Sequence, residues 1–163
     1  MCKGDEMLQK YLLIFLVSMV PLIELRGSIV MAVGMDLDYF TALTVCVIGN
    51  MLPVPIIYYF ARHVLVWGAD KKYIGKFFRF CLEKGEKGGQ KLIAKAGRGG
   101  LFVALMLFVG IPVPGTGAWT GTLAASFLNM GIKSTAAAVS LGVVIAGIIM
   151  GVASTGVFSV IGL

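Results

Sequence analysis

The chain has 163 residues, of which 58% are hydrophobic and 13% are charged, well below the roughly 25% charge that is usual in soluble domains. Its formal net charge is +6, yet three long runs, at residues 39–61, 99–132 and 134–163, contain no charged residue. Each run exceeds the roughly 18 residues that a transmembrane helix requires. The composition therefore excludes an ordinary soluble domain and predicts an all-α, polytopic membrane bundle that forms a single domain over residues 1–163.

The first apolar segment, residues 7–19, leads into the sequence PLIELRGSIV, which places Glu24 and Arg26 two residues apart. One interpretation is a hairpin broken at Pro21 and Gly27, with both charges at membrane depth, where an extended turn would let them pair. The alternative is a straight helix that ends just before the two charges, at the lipid headgroups. Charges inside a membrane cost about 2.5 to 3.5 kcal/mol each on insertion scales, so such residues are usually functional.

The first charge-free run, residues 39–61, predicts a helix that crosses the membrane. Asp36 and Asp38 precede it, and we expect them to cap its N-terminus and complement its dipole in preference to binding an ion. Asn50 and two prolines lie inside the run. Because an amide in lipid must find shelter, we expect a kink that turns Asn50 toward a cavity, where it is a candidate contact for a substrate or ion.

Residues 62–98 carry ten of the fourteen Lys and Arg residues, against three acids. The positive-inside rule therefore places this segment in the cytoplasm. The helical spacing of its apolar and basic residues predicts an amphipathic helix on the membrane surface, interrupted by a hinge at Gly85, Gly88 and Gly89. Contact with anionic lipid is favoured over nucleic-acid binding, because the aromatic and basic residues do not interleave as nucleic acid would require.

The second charge-free run, residues 99–132, is too long for one crossing. As a single helix it would extend about 50 Å, against about 30 Å of hydrocarbon. We therefore expect a re-entrant hairpin, which enters and leaves the membrane on the same face. The break is assigned to Pro112, Pro114, Gly115, Gly117 and Gly121. The polar groups that this hairpin offers to a cavity would be Thr116, Trp119, Thr120 and glycine N–H groups.

The two halves of the chain share an order of elements. Aligning Gly27 with Gly121 gives each half a short apolar arm, a Pro and Gly break, a second short arm and a long run. A hairpin followed by one crossing changes sides once, so the second unit would begin on the opposite face. We predict two inverted repeats, about 7–62 and 99–163, joined by the basic helix at about 63–98, with both termini outside.

In such an arrangement Glu24 is a candidate proton-coupling group, because a carboxyl shielded from water favours its neutral form. Arg26 would be its counter-ion or a contact for an anion. No Ser/His/Asp set, phosphate-binding loop or metal-ligand cluster is visible, and the three cysteines are scattered. The sequence therefore predicts neither an enzyme nor a bound metal or cofactor.

The spacing Gly-x-x-x-Gly occurs at Gly147 and Gly151 and is typical of close helix packing. The spacing does not distinguish packing within one chain from packing across a homodimer. A homodimer is expected for a further reason, because one copy of so short a chain would shield its hairpins poorly from lipid.

Two segments, PLIELRGSIVMA and FVGIPVPGTGAWTGTLAA, flank the basic helix, and in them the chain resembles the prokaryotic small multidrug export protein family. The resemblance covers nearly the whole chain, and GIPVPGTGAWTG is its most specific part. It implies a polytopic inner-membrane protein with a transport role. That family is distantly similar to the DedA membrane proteins, to which translocation of lipid carriers, notably undecaprenyl phosphate, is attributed.

The DedA similarity also has implications for single residues. Glu24 matches the acidic residue of the first DedA hairpin, and Pro114 with the glycine after it matches the Pro-Gly pair of the second. The arginines of the second DedA hairpin have no counterpart, since Thr116 and Gly117 stand in that neighbourhood. Arg26 would have to replace them from the other hairpin, which weakens the case for phosphate recognition by a bidentate arginine.

The leading function is therefore a secondary transporter or exporter of small molecules, with access that alternates around the two hairpins and proton coupling through Glu24. The first alternative is a translocase of polyprenyl-phosphate or phospholipid headgroups. The second is a structural or accessory membrane subunit. The implied partners are membrane lipids and either a small-molecule or a lipid-carrier substrate.

Overall fold

The computed structural model describes residues 3–21, 23–69, 75–113 and 116–161, and all regular secondary structure within these ranges is helical. The helices there are α1 Lys3–Ser18, α2 Glu24–Gly34, α3 Tyr39–Met51, α4 Pro53–Ala69, α5 Gly75–Gly110, α6 Ala118–Phe127 and α7 Ile132–Ile161. This confirms the all-α prediction. Two stretches, Tyr39–Ala61 and Ile132–Gly156, are long and apolar enough to cross a membrane.

The first apolar segment and the residues after it form two helices that pack against each other as a helical hairpin. α1 ends at Ser18, the turn that follows includes Pro21, and α2 packs against α1. The break comes at this point because proline lacks an N–H and disfavours helical geometry in the residue before it. Gly27 was expected to belong to the break, but it lies within α2, and its N–H donates to the carbonyl of Ile23 at 3.0 Å.

The first long helix begins at a side-chain cap. Asp38 accepts hydrogen bonds from the hydroxyl of Thr41 at 2.7 Å and from its N–H at 2.8 Å, and both bonds lower the pKa of Asp38 below its usual range. Asp36 lies in the preceding turn, with φ of 59°, and is not the cap. α3 and α4 are separated only by Leu52, and Pro53 begins α4, where its missing N–H costs little.

The basic segment forms a helix that continues into the second apolar run. α5 passes through residues 85–89, where a hinge was predicted, and departs from helical geometry at Gly97, with φ of 70° and ψ of 177°. A glycine inside a helix costs only about 1 kcal/mol relative to alanine, which the helix-forming neighbours offset. Among them Glu83 and Lys87 are 3.8 Å apart at helical i, i+4 spacing.

A second helical hairpin follows the kink. Its arms are the segment Gly97–Gly110 of α5 and the helix α6, and the break between them includes Pro112. Gly121 was expected to belong to this break, but it lies within α6. A Cβ there would come within 2.5 Å of Cγ2 of Val109, so glycine lets the two arms approach each other closely.

The second long helix, α7, packs antiparallel to α3. The hydroxyl of Tyr39 donates to the carbonyl of Gly147 at 3.1 Å, while Oγ of Ser140 lies 3.4 Å from Sδ of Met51. A Cβ at Gly151 would lie 2.3 Å from the ring of Tyr39. The Gly-x-x-x-Gly spacing therefore serves helix packing within the chain.

The bases of the two hairpins lie at opposite ends of this helix pair. The base of the second hairpin, at Met130, accepts a hydrogen bond from the hydroxyl of Tyr58, which lies on α4 near the end of the long apolar stretch Tyr39–Ala61. The base of the first hairpin leads into Tyr39, which contacts Gly147 in the later half of α7. Hairpins and long helices share one core, which includes Leu25, Ile29, Val109, Ala125, Val139 and Val143.

Candidate functional site

The carboxylate of Glu24, in the first hairpin, binds the N-terminus of α6 in the second. It accepts hydrogen bonds from the N–H of Ala118 at 3.2 Å and from the N–H of Trp119 at 3.1 Å, and the residue is only 7% exposed. The first N–H groups of a helix have no partner within it and form the positive end of its dipole. Gly117, the N-cap residue, has no side chain to bind them, so Glu24 supplies the cap of α6.

The approach of this carboxylate requires glycine at position 117. A Cβ on Gly117 would lie 2.0 Å from Oε2 of Glu24 and 2.6 Å from its Cδ. Both distances are far below van der Waals contact, so any side chain at this position would displace the carboxylate. The backbone of Gly117 is extended, with φ of 171°, so the requirement comes from space and not from conformation.

The guanidinium of Arg26 binds the other end of the same break. It donates to the carbonyls of Val109 at 3.2 Å and Ile111 at 3.1 Å, and to that of Val113. A further hydrogen bond reaches the hydroxyl of Thr116 at 2.9 Å. The last carbonyls of α5 have no partner within the helix and form the negative end of its dipole. A planar guanidinium with five N–H groups is suited to several acceptors at once.

Glu24 and Arg26 do not form the direct ion pair that an extended turn would have allowed. Ion pairs within 4.0 Å in the described part of the chain are Lys10 with Glu6 and Lys87 with Glu83. Glu24 instead bonds to N–H groups at the start of α6, and Arg26 bonds to carbonyls at the end of α5 and just after it. Each charge therefore faces a helix end of opposite sign in the second hairpin.

The backbone of Glu24 has a left-handed conformation, with φ of 50°. For a residue with a side chain this costs on the order of 1 to 2 kcal/mol, and it persists only where the surrounding structure determines it. Glycine at this position would remove the strain but would also remove the cap of α6. A need for the Glu24 carboxylate as the cap of α6 therefore accounts for the strained backbone at this residue.

A small cavity adjoins the two charges. Its lining includes Glu24, Arg26 and Asn50, together with Val109 and Gly117, and it has about 10 Å³ of space, enough for the centre of one water molecule. Asn50, on α3, is 1% exposed, and its Oδ1 has no hydrogen-bond partner. The structure thus places the predicted Asn50 beside Glu24, as the one polar side chain that the first long helix contributes to this lining.

The second hairpin contributes less by its side chains than the sequence suggested. The hydroxyl of Thr116 accepts from Arg26 and lies 2.8 Å from the carbonyl of Val113. Trp119 acts through its backbone N–H, while its indole Nε1 is buried without a partner. Thr120 is exposed, and its hydroxyl bonds to the carbonyl of Gly117 at 3.4 Å. The predicted break residues Pro114 and Gly115 lie outside the described ranges.

Several residues at the site could not be recognised from the sequence. Ala118, Val109 and Ile111 take part through backbone N–H and carbonyl groups, which every residue carries. The only available signal was the break itself, because an interrupted helix always leaves such groups without partners. Within the described residues, no group of three His, Cys, Asp or Glu side chains could hold a metal ion.

Residues 24–149 match the family described as "Putative small multi-drug export protein". The chain belongs to this family. The match begins at Glu24 and includes Arg26, Asn50 and the whole break between α5 and α6, so both sides of the site lie within the part that defines the small multi-drug export family. Neither the curated proteins nor the solved structures contain a significant match to the chain.

The description of the small multi-drug export family names an export protein and not a class of enzyme. The two long apolar stretches, Tyr39–Ala61 and Ile132–Gly156, agree with this assignment. The fold thus supplies two helices of spanning length and, between them, two hairpins that meet at Glu24 and Arg26.

Proposed function

We propose that the protein is a secondary transporter that exports small molecules across the inner membrane, with the contact between its two hairpins as the gate. One observation carries the proposal. Glu24 and Arg26 of the first hairpin hold the two broken helix ends of the second, across 94 and 87 residues of sequence. Charges at membrane depth are costly and usually functional, and here they join the two parts that alternating access would have to move.

The length of the second arm of each hairpin supports re-entry over a full crossing. α2 has 11 residues and α6 has 10, which at 1.5 Å per residue gives about 15 to 17 Å, roughly half of the hydrocarbon thickness of about 30 Å. The hairpin bases lie at opposite ends of the long helices, beside Gly147 and Tyr58. Both facts favour two inverted repeats whose hairpins enter from opposite faces and meet near the midplane.

The distribution of charge sets the orientation that we propose. The basic segment at 62–98 and Lys133 would lie in the cytoplasm, while Asp36, Asp38 and both termini would lie outside. Large apolar side chains are exposed on α3 and α4, among them Phe40 at 76% and Phe60 at 67%. Lipid and a second copy of the chain, in a homodimer, would cover these surfaces.

Protonation of Glu24 gives this arrangement a coupling mechanism. An ionised carboxylate binds the N–H groups of Ala118 and Trp119 and the positive end of α6. A protonated carboxyl loses its charge and so most of its attraction to that helix end. The hairpins would then separate, open the cavity toward one face and close again when the proton leaves toward the other. Coupling of export to the proton gradient would follow from this cycle.

The contacts of Arg26 favour small-molecule export over translocation of a phosphate headgroup. Its guanidinium donates to three carbonyls and one hydroxyl of the protein. A phosphate could bind Arg26 bidentately only if these bonds were first broken. A purely accessory subunit would not need two oppositely charged side chains to join its hairpins.

The topology can be tested with single cysteines in a chain that lacks its native ones. The four positions are exposed: Glu6, Asp38, Lys87 and Lys133. A membrane-impermeant thiol reagent applied to intact cells should label cysteine in place of Glu6 and Asp38. Cysteine in place of Lys87 and Lys133 should react only after lysis. If Glu6 and Asp38 proved to lie on opposite sides, the first segment would be a crossing and the proposed gate would be abandoned.

Export can be tested with Glu24→Gln, which keeps the shape of the side chain but removes its negative charge and its ability to bind and release a proton. We expect purified variant protein in liposomes to lose export of small cationic compounds driven by a proton gradient. Glu6→Gln, a change in an exposed residue paired with Lys10, is the matched control and should retain export. Unchanged export by Glu24→Gln at equal protein content would refute proton coupling through this residue.

A further inference from the structure

Asn50 presents a buried acceptor that the contact between the hairpins does not use. The residue is 1% exposed, and its amide Oδ1 has no hydrogen-bond partner. Buried polar atoms are nearly always bonded, so each exception requires an explanation. The cavity that Asn50 lines also contains Glu24, and its space admits about one water molecule.

The chemistry of the two side chains explains why this acceptor has no partner. An ionised carboxylate offers only acceptors, and an amide oxygen also only accepts, so the two oxygens cannot bond to each other. A protonated carboxyl carries an O–H donor. The N–H groups of Ala118 and Trp119, which bind the ionised form, cannot accept that hydrogen. Oδ1 of Asn50 is the acceptor without a partner in the same cavity.

We infer that Asn50 accepts the hydrogen bond of the protonated Glu24 carboxyl, so that this cavity is a proton-binding site with two alternative sets of partners. The inference rests on the proposed function and adds to it a second partner for Glu24. The proton comes from water on one side of the membrane. When it binds, Glu24 exchanges the N-terminus of α6 for Asn50 on α3, which frees the second hairpin from the first.

Few other groups around the cavity could accept a hydrogen bond from the protonated Glu24 carboxyl. Arg26 is the other charged residue in the cavity lining, and it lies on the same helix as Glu24. α5, α6 and α7 contribute the apolar or glycine residues Val109, Gly117, Ala118, Val143 and Ala146. On α3, the thiol of Cys46 faces the carbonyl of Ile14 at 4.0 Å.

The test is infrared difference spectroscopy on the full chain in lipid nanodiscs, titrated with acid. A band of a protonated carboxyl should appear as the pH falls and should be missing in Glu24→Gln. Asn50→Leu keeps the approximate volume but removes the acceptor, so the midpoint of the band should move to lower pH by about 0.5 to 1 unit. Asn50→Ser, which retains a hydroxyl acceptor, should lie between the two.

Thr135→Val is the matched control. Like the amide oxygen of Asn50, the hydroxyl of Thr135 is buried without a partner, but it lies outside this cavity. Its midpoint should equal that of the unaltered protein. An unchanged midpoint in Asn50→Leu would overturn the inference, and so would a rise, which would mean that the amide N–H₂ bonds to the ionised carboxylate. Absence of any band assigned to Glu24 would overturn it as well.

The same experiment separates this inference from the proposed function. If the band depends on Asn50 but liposomes show no proton-driven export, the proton site stands and the transport function fails. If export depends on Glu24 but Asn50→Leu leaves the band unmoved, the function stands and the role of Asn50 is refuted.

Discussion

The carboxylate of Glu24 occupies the space that a side chain at position 117 would need. A Cβ on Gly117 would lie 2.0 Å from Oε2 of Glu24, which is closer than any non-bonded contact allows. The two residues belong to different hairpins and are brought together by the cap that Glu24 provides for α6. The effects of substitutions at positions 117 and 24 should therefore be coupled.

Gly117→Ala should destabilise the protein by about 0.5 to 2 kcal/mol, the range that loss of a helix cap spans. The added methyl group displaces the carboxylate from Ala118 and Trp119. In a Glu24→Ala background the same change should cost much less, because the carboxylate is already gone. Thermal unfolding of the four proteins in detergent measures the coupling, which we expect to exceed about 0.5 kcal/mol. Gly131→Ala, where a Cβ meets nothing within 4 Å, is the control. Additive effects of the two changes would contradict the contact.

Arg26→Lys should loosen the break between α5 and α6 although the positive charge is retained. An ammonium group cannot match the forked donors that reach the carbonyls of Val109 and Ile111 and the hydroxyl of Thr116 together. We expect a loss of about 1.5 to 3 kcal/mol, the range for hydrogen bonds of charged groups. Hydrogen exchange should become faster at the end of α5. Lys133→Arg, a conservative change at an exposed cation, should leave that exchange unchanged; equal protection in Arg26→Lys would refute the capping role.

Gly151→Ala should destabilise the fold without changing its oligomeric state. The new methyl group would lie 2.3 Å from the ring of Tyr39, whose hydroxyl bonds to Gly147, so this bond must shift or break. Overpacking of this kind typically costs about 1 to 3 kcal/mol. Thermal unfolding and light scattering on the same sample measure the two effects. Gly156→Ala, on the same helix with nothing within 4 Å of a Cβ, should not destabilise the fold. A change in mass with unaltered stability would instead assign the spacing to contact between copies.

Gly97→Ala and Gly99→Ala should have opposite effects despite their proximity. Neither Cβ would meet an atom within 4 Å, so packing does not distinguish the two positions. The backbone does, because Gly97 has φ of 70° and ψ of 177°, a region almost restricted to glycine, which costs a residue with a side chain about 1 to 3 kcal/mol. At Gly99 alanine should stabilise the helix by up to about 1 kcal/mol. Thermal unfolding of the two variants decides the matter, and equal effects would show that the kink at Gly97 is not fixed.

The sequence predicted the elements of the fold well where the signal was local. Charge-free runs located both helices of spanning length, and Pro21 fell in the turn of the first hairpin. Glycine predicted the breaks less well, because its structural role depends on the residues around it. Gly27 and Gly121 lie inside helices, and the bend of the basic helix falls at Gly97 and not at residues 85–89.

The site was predictable in its residues but not in its contacts. Glu24, Arg26 and Asn50 were notable because polar groups are rare in such a sequence. The partners of Glu24 and Arg26 are mostly backbone groups 83 to 95 residues away, such as the carbonyl of Val109. A single sequence has no pattern that pairs a side chain with a distant N–H or carbonyl. The expected ion pair failed for the same reason, since each charge had a better partner in the other hairpin.

The distance in sequence between the caps and the helix ends has a consequence for synthesis in the cell. Glu24 is made 94 residues before Ala118, which at about 5 to 20 residues per second is a delay of about 5 to 20 seconds. In the topology that we propose, Glu24 and Arg26 would lack these partners throughout this time. In the proposed topology the first hairpin would therefore stay near the membrane surface or under the protection of the insertion machinery. The first hairpin would be synthesised before the second but would reach its final position only after the second had been made.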